Sequence, residues 1–106
     1  VTSSSGGDAH GIAVYGDSVA SRVGTTIAGN RLADLKLGSS EALVLNGNVD
    51  GFLVEDNTIV RCNNIGIDAI GHEGVSPSAP HDAARNGIIR RNTVSDITSR
   101  GNPAYG

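Results

Sequence analysis

Phe52-Leu53-Val54-Glu55-Asp56-Asn57-Thr58-Ile59 is the stretch that decides the fold, because two other stretches align with it at the asparagine. The aligned asparagines are Asn30 and Asn92, so the spacings are 27 and 35 residues. Self-similarity at such intervals is typical of repeat proteins, in which each unit buries its apolar face against its neighbours. A second short repeat alternates with the first, and its copies are Gly11–Gly16, Ala42–Gly47 and Gly66–Gly71.

The composition favours short strands joined by turns. The 106 residues include fifteen glycines and many Asn, Ser, Thr and Asp residues, which are turn formers, but only three aromatic residues. Two short strands in each unit, with no helical periodicity, predict an all-β parallel β-helix, a single-stranded solenoid of about three to four rungs. We assign residues 1–9 to a leading segment and residues 10–106 to the rungs.

Charge and hydropathy exclude two classes of partner. The formal net charge is −3 and Lys36 is the single lysine, which argues against nucleic-acid binding. No apolar run reaches the roughly 18 residues that a membrane span needs. The chain has neither an initiating Met nor a signal peptide, so it is expected to be a piece of a longer protein. Cys62 is the single cysteine and is expected to be a small buried residue.

The repeat predicts a register of side chains from one unit to the next. The asparagines are expected to stack as an internal ladder and to form the bend between strands. Arg61 should lie between Asp34 and Asp96, and Glu55 should face Arg90. The positions expected to point inward are Ile27, Val54 and Ile89, then Leu32, Ile59 and Val94, then Leu35, Cys62 and Ile97.

The second repeat predicts strands with distinct inner and outer faces. Ile12 and Val14 should point inward, as should the residues aligned with them, whereas Tyr15, Val44, Asn46 and Asp68 should point outward. Strands disfavour a carboxylate at the centre of an apolar run, so Asp68 is the first candidate functional residue.

The quoted repeats resemble the right-handed parallel β-helix superfamily, the pectate-lyase-like fold, from His10 onward. The segments that carry the resemblance are Gly11–Gly16, Asn57-Thr58-Ile59, Asn92-Thr93-Val94 and Gly66–Gly71. The segments Asn64–Gly74 and Arg85–Val94 are similar to a bacterial secreted subgroup, which implies a secreted or extracellular fragment of a longer solenoid. The superfamily contains polysaccharide lyases, glycoside hydrolases and epimerases, but also adhesins and phage spikes, so fold alone does not give the reaction.

Residues 72–86 form the longest loop and follow the Asp68 strand. Loops on a rigid scaffold are the usual position of binding and catalytic groups. For an acidic sugar, Asp68, Glu73 and Asp82 can supply oxygen ligands for Ca²⁺, and Arg85 can pair with a uronate carboxylate. His72 or His81 can act as the base.

The loop also has other interpretations. A hydrolase would instead use Asp68 with Glu73 or Asp82 as its two carboxylates. The plain alternative is that Pro80-His81-Asp82 is a capped turn. His10 precedes the first strand and is expected only to flank it.

Two functions of different classes follow. The first is part of a polysaccharide lyase acting on an acidic polysaccharide, with hydrolase or epimerase activity as variants. The second is a non-catalytic structural or binding module, such as a spike, adhesin or surface repeat. The expected partners are a polysaccharide and either the remaining rungs of the parent chain or a second copy joined end to end.

Overall fold

The computed structural model describes residues 9–98, in which the chain is all-β, as predicted. Within this range the regular elements are short strands and one 3₁₀ turn, Ala79–His81. No helix in the described range could cross a bilayer. The strands are β1 (Ile12–Gly16), β2 (Arg22–Val23), β3 (Thr26–Ala28), β4 (Arg31–Ala33), β5 (Glu41–Gly47), β6 (Val49–Asp50), β7 (Leu53–Glu55), β8 (Thr58–Asn63), β9 (Ile65–Ile70), β10 (Ile88–Arg90) and β11 (Thr93–Thr98).

The strands pair into parallel sheets that follow the sequence repeats. The second repeat forms the sheet β1-β5-β9. The first repeat forms two sheets, β3-β7-β10 and β4-β8-β11, on either side of its asparagine. The strands β2 and β6 make a smaller fourth sheet. All of these pairs are parallel, and the three larger sheets have the register that the repeats predict.

The prediction of a single-stranded right-handed parallel β-helix of three to four rungs is wrong. The described strands form four separate sheets of three, three, three and two strands, and these do not close into a solenoid. The physical reason lies in the turns, where residues with a left-handed backbone end each strand after a few residues and so divide the chain among separate short sheets.

The bend beside each asparagine also differs from the prediction. The residue with positive φ is the one before the asparagine, at Gly29, Asp56 and Arg91, with φ of 67°, 56° and 53°. A second left-handed position follows at Asp34, Arg61 and Asp96. The sequence therefore predicts a bend in this region, but the asparagines do not make it.

The asparagines form the predicted ladder by direct hydrogen bonds. Asn30 donates its Nδ2 to Asn57 Oδ1 at 3.1 Å, and Asn57 donates its Nδ2 to Asn92 Oδ1 at 2.9 Å. The backbone N–H groups of Asn30 and Asn57 donate to the same oxygens, each at 3.0 Å. Asn57 is 1% exposed, so the ladder satisfies polar groups that would otherwise be buried without partners.

The apolar core lies between the sheets and is built from aligned side chains. The inward-facing residues Leu43, Val54 and Ile59 of the middle strands are completely buried. In contrast, Ile89 and Val94 remain 47% and 43% exposed because β10 and β11 are edge strands. Cys62 is buried in this core, as predicted. The buried core residues are Ile27, Leu32, Leu35, Leu37, Ala42, Leu43, Leu45, Val49, Phe52, Val54, Ile59 and Cys62.

Surface charges also align between strands. Glu55 pairs with Arg90 at 2.8 Å, and Arg61 pairs with Asp34 at 2.6 Å. Hydrogen bonding from Arg61 lowers the pKa of Asp34, and hydrogen bonding from Arg90 lowers the pKa of Glu55. Asp96 acts on Arg61 only through its charge, so the predicted three-member arrangement is a pair with a more distant third member.

Candidate functional site

The loop after β9 folds back over the outer face of the β1-β5-β9 sheet. Gly71 makes an antiparallel bridge with Ala83, which closes the base of the loop. A Cβ added at Gly47 would lie 2.7 Å from Val75 Cγ1, so only glycine permits this approach of the loop to β5. Ser76 Oγ donates to Ser18 O at 2.8 Å and fixes the loop to the turn after β1.

Asp82 stabilises the loop from inside. Its side chain is 3% exposed. One carboxylate oxygen accepts the backbone N–H of Gly74 at 2.8 Å, and the other accepts the N–H of Ser76 at 3.1 Å. Both oxygens are therefore used in shaping the loop, which fits the turn interpretation of this residue.

Arg85 is also committed to structural contacts. Its guanidinium donates to the backbone oxygens of His81 and Ala83, to Ser21 Oγ and to Asn48 Oδ1. It also lies 3.5 Å from Asp50 Oδ2. Arg85 thus ties the end of the loop to the neighbouring turns.

The two loop histidines lie in different surroundings. Ser78 Oγ and His81 Nδ1 are 2.9 Å apart, beside the 3₁₀ turn. His72 has a φ of 61° and donates its backbone N–H to Asp82 O. Neither histidine lines the pocket described next.

An open pocket of about 380 Å³ lies at the side of the sheet where β9 is the edge strand. Three carboxyl groups line it, one each from β5, β9 and the loop, together with apolar and small residues. It therefore combines concave shape with convergent polar groups, as ligand sites do. The lining residues are Ser39, Glu41, Ile65, Asp68, Ile70 and Glu73.

Burial shifts the protonation of two of these carboxyl groups. Burial raises the pKa of Asp68, and the negative charge of Glu73 raises it further, while a hydrogen bond from the Ala69 backbone opposes the change. Burial likewise raises the pKa of Glu41, against the influence of His10. Carboxyl groups with raised pKa values in a cleft are candidates for proton chemistry.

Asn46 holds Glu73 in place from below. Its Nδ2 donates to Glu73 Oε1 at 2.8 Å, and Asn46 is 5% exposed beneath the loop. Its Oδ1 is buried without a hydrogen-bond partner among residues 9–98. Asn46 and Val44 were predicted to be outward-facing; both are nevertheless buried.

His10 does more than flank the first strand. Its Nε2 lies 3.0 Å from Tyr15 Oη, and its Nδ1 lies 3.3 Å from Glu41 Oε2. The sequence interpretation missed both His10 and Glu41. A signal was present in the sequence. His10, Glu41 and Ile65 each stand immediately before a copy of the second repeat, so they are aligned with one another.

The structure brings together only part of the predicted set. Asp68 and Glu73 line the pocket, whereas His72, His81, Asp82 and Arg85 do not. Within residues 9–98, no three His, Cys, Asp or Glu side chains are grouped to hold a metal ion. Asp82 is separated from Asp68 and Glu73 in function, because it does not line the pocket and both of its oxygens accept backbone hydrogen bonds. Binding of Ca²⁺ stays a prediction.

Comparison with known proteins gives one informative similarity. Sixty-one residues of the chain are 52% identical to the uncharacterized protein YwoF of Bacillus subtilis (strain 168). The match covers 58% of this chain but 13% of that protein. No family model matches the chain, and no solved structure matches it.

Proposed function

We propose that this protein binds an acidic polysaccharide in the pocket beside β9 and cleaves it by β-elimination. The carrying observation is Asp68, a half-buried carboxyl whose pKa is raised by burial and by Glu73. Within residues 9–98 no salt bridge neutralises it. Such a group retains its proton more readily than an ordinary aspartate.

When Asp68 carries its proton, it can donate a hydrogen bond to a negative sugar. A uronate carboxylate placed beside it adds a like charge, which raises the pKa of Asp68 again. The two groups can then share one proton in a strong hydrogen bond. Withdrawing charge from the uronate acidifies the proton at C5, the step that β-elimination requires. A polysaccharide substrate of this class favours a secreted or extracellular location.

Glycoside hydrolysis is a second candidate with its own supporting observation. Asp68 and Glu73 line the same pocket, and the charge of Glu73 adds to the effect of burial in raising the pKa of Asp68. Hydrolases use two such groups in different protonation states across a glycosidic bond. This reaction would consume water and produce no double bond.

Asp68→Asn separates the two reactions. An Asn amide can still donate a hydrogen bond to a uronate, but it can neither protonate a leaving group nor act as a nucleophile. For β-elimination, Asp68→Asn should retain activity and lose the decline that wild type shows as pH rises. Asp68→Ala should lose activity by about 100-fold.

The measurement follows the ultraviolet absorbance of the new C4=C5 double bond on polyuronates, with reducing ends counted in parallel. The rate should be the same with a chelator as with added Ca²⁺. If wild type produces reducing ends without the absorbance, and Asp68→Asn produces neither, the reaction is hydrolysis. Absence of both products, with polyuronate still bound, would favour the non-catalytic binding module.

A further inference from the structure

Glu41, His10 and Tyr15 form a continuous chain of polar contacts on the outer face of the β1-β5-β9 sheet. Glu41 Oε2 lies 3.3 Å from His10 Nδ1, and His10 Nε2 lies 3.0 Å from Tyr15 Oη. The two rings meet edge to face, with centroids 6.1 Å apart. A base oriented by a carboxylate and directed at a hydroxyl is the general arrangement of an activated nucleophile or base.

The contacts determine which nitrogen of His10 carries the proton and which group donates to the other nitrogen. An ionised carboxylate only accepts hydrogen bonds, so Glu41 favours the tautomer with the proton on His10 Nδ1. The neutral imidazole then has its lone pair on Nε2. Tyr15 must therefore donate its hydroxyl proton to His10, which prepares the phenol oxygen to lose that proton.

Tyr15 and His10 are both exposed, whereas Glu41 is half-buried. A hydroxyl that reaches water needs no internal partner for stability. The arrangement therefore leaves the phenol and the imidazole accessible, with the Glu41 carboxylate behind them.

The pocket and this chain share one face of one sheet. Tyr15 is aligned with Asn46 and Ile70, and Ala13 is aligned with Val44 and Asp68. Because Tyr15 contacts a residue five positions earlier, its phenol leans back along β1 toward the level of Ala13. At that level two strand spacings, about 10 Å, separate β1 from Asp68, and the buried Val44 lies between them. Glu41 lines the pocket and contacts His10, so it connects the pocket to this chain of contacts.

We propose that Tyr15 is a catalytic residue that exchanges protons with the bound sugar, and that His10 and Glu41 are its positioning residues. This inference rests on the proposed function and supplies its base. Tyr15 passes its proton to His10 Nε2, and the phenolate removes the proton from C5. The C5–H electron pair forms the C4=C5 bond while the C4–O bond breaks. The leaving oxygen takes the proton from His10, so both residues return to their starting states.

The charged groups on this side of the sheet come from four elements. Glu41 of β5 contacts His10, and Arg22 of β2 donates to the Tyr15 carbonyl at 3.2 Å. Asp68 of β9 and Glu73 of the loop line the pocket together with Glu41. Protonated Asp68 would hold the uronate while Tyr15 acts at C5. In this assignment Asp68 contacts the uronate group of the sugar, and Tyr15 acts at C5.

The first experiment measures Tyr15 reactivity without any polysaccharide. The protein is treated with an aryl sulfonyl fluoride, and peptide mass spectrometry gives the labelling rate of Tyr15 against pH. In His10→Gln the rate should fall about 100-fold at neutral pH, because no imidazole then accepts the phenol proton.

Two glutamate variants provide the matched comparison. Glu41→Gln should lower the labelling rate about 10-fold, because the imidazolium formed loses its carboxylate. Glu55→Gln, on another sheet, should leave the rate unchanged. Identical rates and pH profiles in wild type and His10→Gln, with unchanged melting temperatures, would overturn the assignment.

The second experiment tests the role in the reaction. Tyr15→Phe should reduce β-elimination about 100-fold or more with an unchanged melting temperature. Unchanged cleavage in Tyr15→Phe would overturn the catalytic role while leaving the proposed function intact. If wild type cleaves no polyuronate, the proposed function fails, and the labelling experiment still decides whether His10 activates Tyr15.

Discussion

Protonation is the property that distinguishes the residues of the pocket from the other acids on the surface. The pKa of Asp34 and that of Glu55 are lowered by hydrogen bonds from arginines, so these groups stabilise the fold in the ionised form. Asp68 and Glu41 are shifted in the opposite direction by burial. A structural acid and a candidate catalytic acid therefore respond oppositely to pH.

Asp68→Asn should change how stability depends on pH. The pKa of Asp68 is raised in the folded state, so its contribution to stability is fully present below the unfolded pKa and is lost as pH rises through the folded pKa. The variant cannot ionise. It should match wild type in acid and be slightly more stable at neutral pH, by no more than about 0.5 kcal/mol for a partly exposed group.

Chemical denaturation at about pH 3 and pH 7 measures this difference. Asp96→Asn, at an exposed position of β11, is the control and should show no comparable change between the two pH values. A variant less stable than wild type at neutral pH would mean that the Asp68 carboxylate makes a stabilising contact.

The loop between β9 and β10 depends on one buried carboxylate. Asp82 accepts two backbone hydrogen bonds, and Arg85 fixes the far end to Asn48 and Ser21. Glu73 lies on the same loop, so the shape of the pocket depends on Asp82 although this residue does not line it.

Asp82→Ala should therefore loosen the loop and release Glu73 from Asn46. Loss of two hydrogen bonds to a charged group should cost about 2–4 kcal/mol of unfolding free energy. Hydrogen exchange should show faster exchange at Gly74 and Ser76 but unchanged protection in β7 and β8. Asp17→Ala, an exposed turn residue, serves as the control. Equal protection in both variants would show that the loop is held by its other contacts.

Sequence alone predicts the contacts between aligned positions of the repeats, but it does not predict contacts between positions that the repeats do not align. The parallel register follows from aligned asparagines and aliphatic residues, and the Glu55–Arg90 pair follows from that register. Asp56 makes the bend that the sequence predicts at Asn57. The pattern cannot separate the two positions, because both residue types tolerate a left-handed backbone. The contact between His10 and Tyr15 depends on the direction of one phenol, which no spacing rule specifies.

At the scale of the whole molecule, one side presents apolar edge strands. Ile88 and Ile89 of β10 and Val94 of β11 are each more than 40% exposed. Open parallel edges and apolar side chains together favour pairing with further strands. We expect these edges to join either the remaining strands of a parent chain or a second copy of this one.

The double variant Ile89→Lys/Val94→Lys should reduce this association. Charges on an edge strand oppose pairing and add repulsion between copies. Sedimentation of the 106-residue chain should show concentration-dependent association in wild type and a smaller average mass in the variant. Val19→Lys, at a 68% exposed apolar residue outside the strands, should behave as wild type. A wild-type chain that remains monomeric at all concentrations would contradict the expectation.

The asparagine ladder has a polarity. In both of its steps the earlier residue donates and the later residue accepts, from Asn30 to Asn57 and from Asn57 to Asn92. Two copies meeting through the same end would oppose donor to donor or acceptor to acceptor. A two-fold symmetric dimer through these ends is therefore disfavoured, whereas head-to-tail addition continues the alignment of amide dipoles. Growth in this manner has no built-in stop, so the length of any assembly must be set by a different chain segment that caps it.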